Sequence, residues 1–203
     1  MQNLLGTPQG MSAYFTQPNE PLPPTANEPK LEASELVKGL RRGLANVGGT
    51  LQGAYGQLIE PLDPVAGARN MEEASQTMQR AYMANRPAVG NVQDVHDLRS
   101  GAQWFMGALG EGIPSMAPAI VGGVGGRVLG GMLKAPAAGA YIGAGAGMLP
   151  QEMGETAVTL HQDPVALANT TPGERLAMAT GKGVINSALE SIVPGTMVRK
   201  MSF

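Results

Sequence analysis

The chain has 203 residues, enough for one domain with a tail, and its net charge of −2 gives no sign of a basic surface that would hold a polyanion. Charged residues make up 15% of the chain, against about 25% in typical soluble domains. Cysteine is absent, which excludes a disulfide framework and a thiolate metal site. Because aromatic residues account for only 4%, we expect leucine, alanine, valine and the thirteen methionines to fill the core.

The first thirty residues are rich in proline and poor in apolar residues, and they show neither a helical nor a strand period. We therefore predict an extended, proline-rich arm over residues 1–30, which could become ordered by lying along a partner. The chain start lacks a basic segment followed by an apolar one, so we expect no secretory signal there. The six prolines are Pro8, Pro18, Pro21, Pro23, Pro24 and Pro29.

A leucine-rich helix is predicted over residues 31–59. Its apolar residues step by three and four along the chain, which is the spacing of one helical face. Glycines at small-residue spacing accompany this row, and Glu60-Pro61 should end the helix. The apolar row consists of Leu36, Leu40, Leu44, Val47, Leu51, Ala54 and Leu58.

Two further helices are expected before the chain reaches its glycine-rich middle. Asp63-Pro64 is typical of a helix start, with proline at the first helical position, and Arg86-Pro87 ends that helix. The next candidate covers residues 91–109. Pro114 and Pro118 follow it, and because proline lacks a backbone donor and clashes with the preceding turn, we expect them to stop or kink the helix.

Residues 110–151 form an apolar region with two matched rows of glycine. Each row has a GxxxGxxxG spacing, so on a helix its three glycines lie on nearly one face. Lys134-Ala135-Pro136 separates the rows and is typical of a turn. Glycine costs about 1 kcal/mol per helical position relative to alanine, so six such positions indicate that close helix packing compensates. The rows are Gly122, Gly126 and Gly130, and Gly139, Gly143 and Gly147.

Close packing of this kind fits two settings, which the sequence does not separate. In a bilayer, small residues let helices approach closely, so the hairpin could enter a membrane. In water, the same rows could form the core of a tight helical oligomer. A glycine-rich linker without a packed role is a third alternative. The two arms, 113–133 and 135–151, are both marginal for a spanning helix. Arg127 either lines a polar lumen or lies at the surface near a helix end.

The remaining residues, 152–203, contain a clear helix start. Thr171-Pro172-Gly173-Glu174 is a capping box with proline at the first helical position. The helix should run to about Ile192, and Pro194-Gly195 should end it. No stretch of the chain has a convincing period of two. We therefore predict an all-α fold of helical hairpins, with a Gly/Ala-rich apolar central hairpin and an extended N-terminal arm, divided into residues 1–30, 31–109, 110–151 and 152–203.

The side chains that could support catalysis do not form a recognisable motif. Gly181-Lys182-Gly183 lacks the other residues of a phosphate loop, and the pair His96 and Asp97 has no second histidine at a metal-ligand spacing. Glu190-Ser191 resembles the Glu-Ser pair of lytic transglycosylases over those two residues alone. Glu152 and Glu155 fit the first turn of a helix, where the helix dipole favours carboxylates. We predict no catalytic, cofactor-binding or metal-binding residue, and no enzymatic activity.

Three segments share an order that resembles a region of the large internal virion proteins of tailed bacteriophages. They are residues 110–115 (GEGIPS) with the Ala/Gly tract that follows, residues 150–156 (PQEMGET), and residues 171–174 (TPGE) leading to 188–195 (ALESIVPG). The resemblance covers about residues 95–196 and includes no catalytic residues. It implies a protein that is stored in the capsid or tail, ejected ahead of the genome, and active in the host envelope as part of a conduit for DNA.

On this hypothesis the partners are further copies of the chain in a cyclic homo-oligomer, other virion proteins and the host membrane, without sequence-specific nucleic acid binding. The six glycines of the two rows would be contacts between chains, and Arg127 would face the lumen. The alternative is a structural scaffold or adaptor of the virion, with residues 1–30 lying on a neighbour and no membrane step.

Overall fold

Helices make up nearly all of the structure, a computed structural model in which residues 31–200 are described. No strand occurs within this range, so the all-α prediction is confirmed for it. The proline-rich arm predicted for residues 1–30 lies outside the described residues. In chain order the elements are α1 (Leu31–Ile59), α2 (Pro64–Ala84), a 3-10 turn (Val92–Asp94), α3 (Leu98–Met132), α4 (Pro136–Gln162), α5 (Pro164–Asn169), α6 (Pro172–Glu190) and α7 (Ile192–Lys200).

Side-chain caps explain two helix starts that the sequence predicted. The Asp63 carboxylate accepts a hydrogen bond from the Ala66 amide at 2.9 Å, directly before Pro64 opens α2. At the start of α6, Thr171 and Glu174 form a reciprocal capping box in which each side chain accepts from the other residue's backbone amide. Both arrangements satisfy amides that have no partner inside the helix.

Helix α3 differs from its prediction at both ends. It begins directly after Asp97, which caps it, rather than near residue 91. It then continues as one helix through Pro114 and Pro118, so of the two predicted alternatives, a stop or a kink, the stop is wrong. The expected segment boundary at residue 110 lies inside this helix. Pro114 is buried and adjacent to α1. Packing on the neighbouring helix therefore outweighs the missing proline hydrogen bond.

The turn between α3 and α4 lies where it was predicted, and Lys134 adopts a left-handed conformation there, with φ of 59°. Helix α4 is longer than expected because it passes through Pro150 and continues to Gln162. As a result, Glu152 and Glu155 lie well inside α4, and the prediction that they occupy a first turn is wrong.

The C-terminal part of the described chain contains two helices, α5 and α7, that the sequence did not indicate. Helix α6 ends at Glu190, two residues earlier than predicted, and α7 follows after Ser191. Pro194 lies in the first turn of α7, where its missing N–H leaves no helical hydrogen bond unmade. Pro194-Gly195 is therefore part of a helix and not its terminator.

Three long helices, α1, α3 and α4, form the centre of the structure and contact one another. Close approaches between glycines and neighbouring backbone show that α3 and α4 are antiparallel, whereas α1 runs parallel to α3. Helix α2 packs antiparallel on α1, α6 packs antiparallel on α4, and α7 lies against α3 and α4. Within this arrangement, α1 meets α3 around residues 107–114 and α4 around Gly154, whereas the turn end of the α3–α4 hairpin, residues 131–138, is exposed.

The interior consists mainly of small apolar and polar side chains. No leucine is buried within residues 33–200, so the expectation that leucine fills the core is wrong. Backbones that approach closely through glycine and alanine leave little room between helices for a branched side chain. The buried apolar residues are Ala54, Met71, Ala74, Ala119, Ala140, Ala144, Met148, Met153, Ala157, Val158, Ala179 and Val198.

Candidate functional site

The two glycine rows face each other across the α3–α4 hairpin. A Cβ atom added to Gly122 would overlap the carbonyl oxygen of Gly143, and one added to Gly126 would overlap the carbonyl oxygen of Gly139. The clash is reciprocal, because a Cβ on Gly143 or Gly139 would overlap the carbonyl oxygen opposite. The two backbones are therefore in direct contact. The remaining members, Gly130 and Gly147, meet the backbone of Ala135 and Pro118 in the same way.

The six glycines are thus contacts between helices of one chain. The space beside each row is filled by the other row, so a second chain could use these glycines only if the hairpin opened. Their predicted role between chains stays a prediction. Among the described residues, a contact surface for another chain would therefore lie on the outer faces of the helices.

Arg127 contacts the end of α7. Its Nη1 atom donates hydrogen bonds to the backbone carbonyl oxygens of Val198, at 2.5 Å, and Arg199, at 2.7 Å. The last carbonyls of a helix have no partner inside it, and a positive charge there interacts favourably with the helix dipole. The structure therefore gives Arg127 a tertiary capping contact, while its predicted lumen-facing role stays a prediction.

Helix α1 makes similar glycine contacts that sequence reasoning did not assign to partners. A Cβ on Gly39 would overlap the carbonyl oxygen of Gly107 on α3, and a Cβ on Gly53 would lie 3.0 Å from that of Gly154 on α4. The glycine spacing in α1 was visible in the sequence. The sequence did not show which helix faces each glycine, because residue spacing within one helix does not identify the neighbouring helix.

Buried polar side chains connect distant parts of the chain. Arg175, at the start of α6, donates to the Glu60 carboxylate at 2.6 Å, and both side chains are more than nine-tenths buried. The amide of Gln57 also donates to Glu60, at 2.9 Å. Elsewhere, buried Arg42 donates to the Glu111 carboxylate at 3.1 Å and to the backbone carbonyl of Asn85. No sequence motif indicated either pair.

A carboxylate cluster lies where α4 packs on α6. Glu152 is buried and accepts a hydrogen bond from Asn186 at 3.0 Å. Partial burial raises the pKa of Glu155, and the charge of Glu152 raises it further. The charge of Lys182 lowers this pKa and so offsets part of the increase. Partial burial and the charges of Glu152 and Glu155 raise the pKa of Glu190 as well. Within residues 31–200, no group of three or more metal-ligating side chains is arranged to hold a metal ion.

A small cavity of about 230 Å³ lies between α1, α3 and the loop that follows α2. It is smaller than most ligand sites, which measure about 300 Å³ or more. The buried guanidinium of Arg42 reaches it but is already paired with Glu111, as described above. The lining residues are Arg42, Tyr82, Pro87, Val89, Gly90, Trp104, Gly107, Ala108 and Glu111.

The outer faces of the helices present large apolar side chains to solvent. On α1, Leu44, Leu51, Tyr55 and Leu58 are 64%, 45%, 58% and 53% exposed. Single exposed apolar residues are ordinary, but a continuous apolar face on a folded chain marks an interaction surface. Similar faces occur on α3 and α6. Their exposed members are Leu98, Phe105, Leu109, Ile113, Val121, Val128, Leu129 and Met132 on α3, and Met178, Val184, Ile185 and Leu189 on α6.

Comparisons with models of known protein families, with curated proteins and with solved structures found no match to this chain. A search of residues 31–200 likewise found no helix that combines the length and the apolarity needed to cross a membrane. The most distinctive feature of the described residues is the contrast between an interior rich in glycine, alanine, methionine and polar groups and an exterior with many exposed aliphatic side chains.

Proposed function

We propose that this chain is an internal virion protein of a tailed bacteriophage, which self-associates and helps form a conduit for genome delivery across the host envelope. The observation that supports this proposal best is the large number of exposed aliphatic side chains. Glycine, alanine, methionine and polar groups fill most of the interior, while many leucine, isoleucine and valine side chains are exposed on α1, α3 and α6. Apolar surface of this extent gains free energy when another surface covers it, which favours assembly.

The composition supports the same role. A protein that is stored with other virion proteins and later transferred to an envelope has to tolerate both water and apolar surroundings. The charged fraction of 15% is below the value of about 25% for typical soluble domains, and the mean hydropathy of −0.05 is close to zero. The resemblance over residues 95–196 suggests a bacteriophage setting for this behaviour. The proposal involves no catalytic step.

A structural scaffold or adaptor of the virion is the second candidate function. One observation favours it: the exposed leucines of α1, Leu44, Leu51 and Leu58, are separated by seven residues, a spacing that matches another protein helix better than a lipid surface. On this alternative, the apolar exterior is covered by virion proteins at every stage, and no membrane step occurs.

Vesicle binding tests the conduit. The full chain is mixed with vesicles of phosphatidylethanolamine and phosphatidylglycerol that contain a self-quenched dye, and the vesicles are then floated on a density gradient. We expect co-flotation and dye release. Val121→Gln with Leu129→Gln, on the outer face of α3 near the hairpin turn, should reduce both signals, because the two side chains are exposed and apolar.

The matched control for this experiment is Glu72→Gln with Gln79→Glu, two substitutions on α2 that keep the composition and leave the apolar faces unchanged. Vesicles that float without protein and retain their dye would contradict the conduit. The scaffold function would then be tested by deleting residues 1–30, which on that alternative should abolish incorporation into particles.

A further inference from the structure

The outer face of α1 has a regular spacing of exposed residues. Val37, Leu44, Leu51 and Leu58 recur every seven residues along α1, and Arg41, Gly48 and Tyr55 alternate with them at steps of four and three. We call these seven residues the α1 seam. All seven are exposed. A repeat with an average step of 3.5 is the pattern by which one helix packs along another in a left-handed coiled coil.

The α1 seam lies on the side of α1 that no other described helix covers. The opposite side is occupied: α3 packs at Gly39 and Gly43, α2 at Gly49 and Gly56, and α4 at Gly53. A Cβ added to Gly48, within the seam, would meet no atom within 4 Å. From residue 37 to residue 58 the seam extends about 32 Å, which is the length of about three heptads of knobs-into-holes contact.

We infer that the α1 seam binds the α1 seam of a second copy of this chain, antiparallel and about a two-fold axis. This inference rests on the self-association part of the proposed function and names its surface, but it does not depend on a phage role. A two-fold axis makes one patch its own partner, so a single helix face suffices for both sides of the contact.

Side-chain size supports the antiparallel register. The seams can be aligned so that the residue numbers of any two opposed residues add to 99. Gly48 then lies opposite Leu51 of the second copy, and Leu44 lies opposite its Tyr55. The open space beside Gly48 then receives a leucine, twice by symmetry, and the centre of the contact is where the helices approach most closely. Pairing the small Gly48 with the larger Leu51 fills the central layers of this interface without voids.

Charge disfavours the parallel arrangement. Arg41 is the one charged residue of the seam. In a parallel dimer the two Arg41 side chains would lie side by side, and like charges at that distance repel each other. In the antiparallel register, each Arg41 lies opposite Leu58 of the other copy. The two arginines are then about 26 Å apart, beyond the screening length of about 8 Å at physiological salt.

The oligomeric state of seam variants tests this inference. Sedimentation velocity of the full chain over a range of concentrations should show a dimer, or a larger assembly built from dimers. Leu44→Gln with Leu51→Gln should raise the dissociation constant on the order of 100-fold or more, because four leucine side chains leave the interface. Both leucines are exposed and glutamine is a good helix former, so far-UV circular dichroism should be unchanged.

The matched control is Val121→Gln with Leu129→Gln, which removes two exposed apolar side chains from α3 and should leave self-association as it is. Orientation is read from cross-linking, which the absence of native cysteine makes direct. A mixture of a Leu44→Cys chain and a Tyr55→Cys chain should form the mixed disulfide. Efficient disulfide formation by Leu44→Cys alone would overturn the antiparallel arrangement.

The remaining outcomes separate this inference from the proposed function. If the wild-type chain associates and Leu44→Gln with Leu51→Gln associates equally well, the seam is not the interface, and self-association through another surface survives. If the wild-type chain is a monomer at all concentrations, both the seam contact and the proposed self-association are overturned. If that monomer floats with vesicles and the double variant does not, lipid covers the seam and the inference fails.

Discussion

At the scale of single residues, glycine has two different meanings in this chain. Gly143 lies where a side chain would enter the backbone of the facing helix, and Gly125, on the same hairpin, borders open space. Both are helical and both contribute to the high glycine content. Only the first is required by packing, because its hydrogen atom is the largest substituent that the contact accommodates.

Alanine substitution should separate these two kinds of glycine. Gly143→Ala is expected to lower the free energy of unfolding by about 3 kcal/mol, because its Cβ would overlap the carbonyl oxygen of Gly122. Gly125→Ala is expected to raise it by up to about 1 kcal/mol through better helix propensity. Urea denaturation followed by circular dichroism measures both values. Equal effects of the two substitutions would show that the rows are not in backbone contact.

At the scale of the element, the contact between α4 and α6 should respond to pH. The pKa values of Glu155 and Glu190 are raised in the folded chain above the ordinary value of 4.5. The stability that these two groups contribute is therefore complete below about pH 4.5 and is lost as pH rises through their raised pKa values. The pKa values of the exposed residues Glu73, Asp97 and Glu174 are lowered in the folded chain. The stability that these three groups contribute is therefore present at higher pH and is lost as pH falls below about 4.

We therefore expect the chain to be less stable at pH 8 than at pH 5. Glu190→Gln should reduce this difference, since an amide cannot ionise beside Glu152 and Glu155. The urea midpoint at the two pH values measures the effect. Glu72→Gln on α2, away from this cluster, is the control and should leave the difference unchanged. If the Glu190→Gln variant kept the full wild-type pH dependence of stability, ionisation of Glu190 would be ruled out as its cause.

The elements also show which parts of the fold the sequence could predict. Local chemistry was sufficient where a cap marks a helix start, as at Asp63-Pro64 and at Thr171 with Glu174. It failed at Pro114, because the neighbouring helix stabilises α3 through a residue that would end an isolated helix.

The outward direction of the α1 leucines was not predicted either. Periodicity shows that Leu44, Leu51 and Leu58 share one side of a helix, but it does not show which side is buried. The signal that was available is the position of Gly39, Gly43 and Gly53 on the opposite side of α1. Glycine at that spacing is a poor choice for a solvent face and a good one for helix contact.

At the scale of the whole molecule, the ion pair between Arg175 and Glu60 joins the start of α6 to the end of α1, across 115 positions of the sequence. Both side chains are buried, so the loss of one leaves an uncompensated charge away from water. The pair therefore ties the C-terminal helices to the first helix of the described structure.

Arg175→Met should lower the free energy of unfolding by about 3–5 kcal/mol. Adding Glu60→Gln to that variant should restore part of the loss, because the buried carboxylate is then gone. Arg69→Met is the control: its ion pair with Glu73 is exposed, and such pairs contribute about 0–1 kcal/mol. Chemical denaturation of the four proteins measures these differences. Equal losses of unfolding free energy for Arg175→Met and Arg69→Met would mean that the buried pair does not stabilise the contact between the end of α1 and the start of α6.

The glycine rows of the α3–α4 hairpin have one more consequence, for the alignment of the two helices. Because each row repeats every four residues, sliding one helix by four residues, about 6 Å, would again place glycines of one row opposite glycines of the other. Close contact between the rows is therefore compatible with more than one alignment. The observed alignment is held by the short connection at residues 133–135 together with the contacts that α3 and α4 make with α1 and α7, so a longer connection would leave the close contact intact and remove one of these constraints.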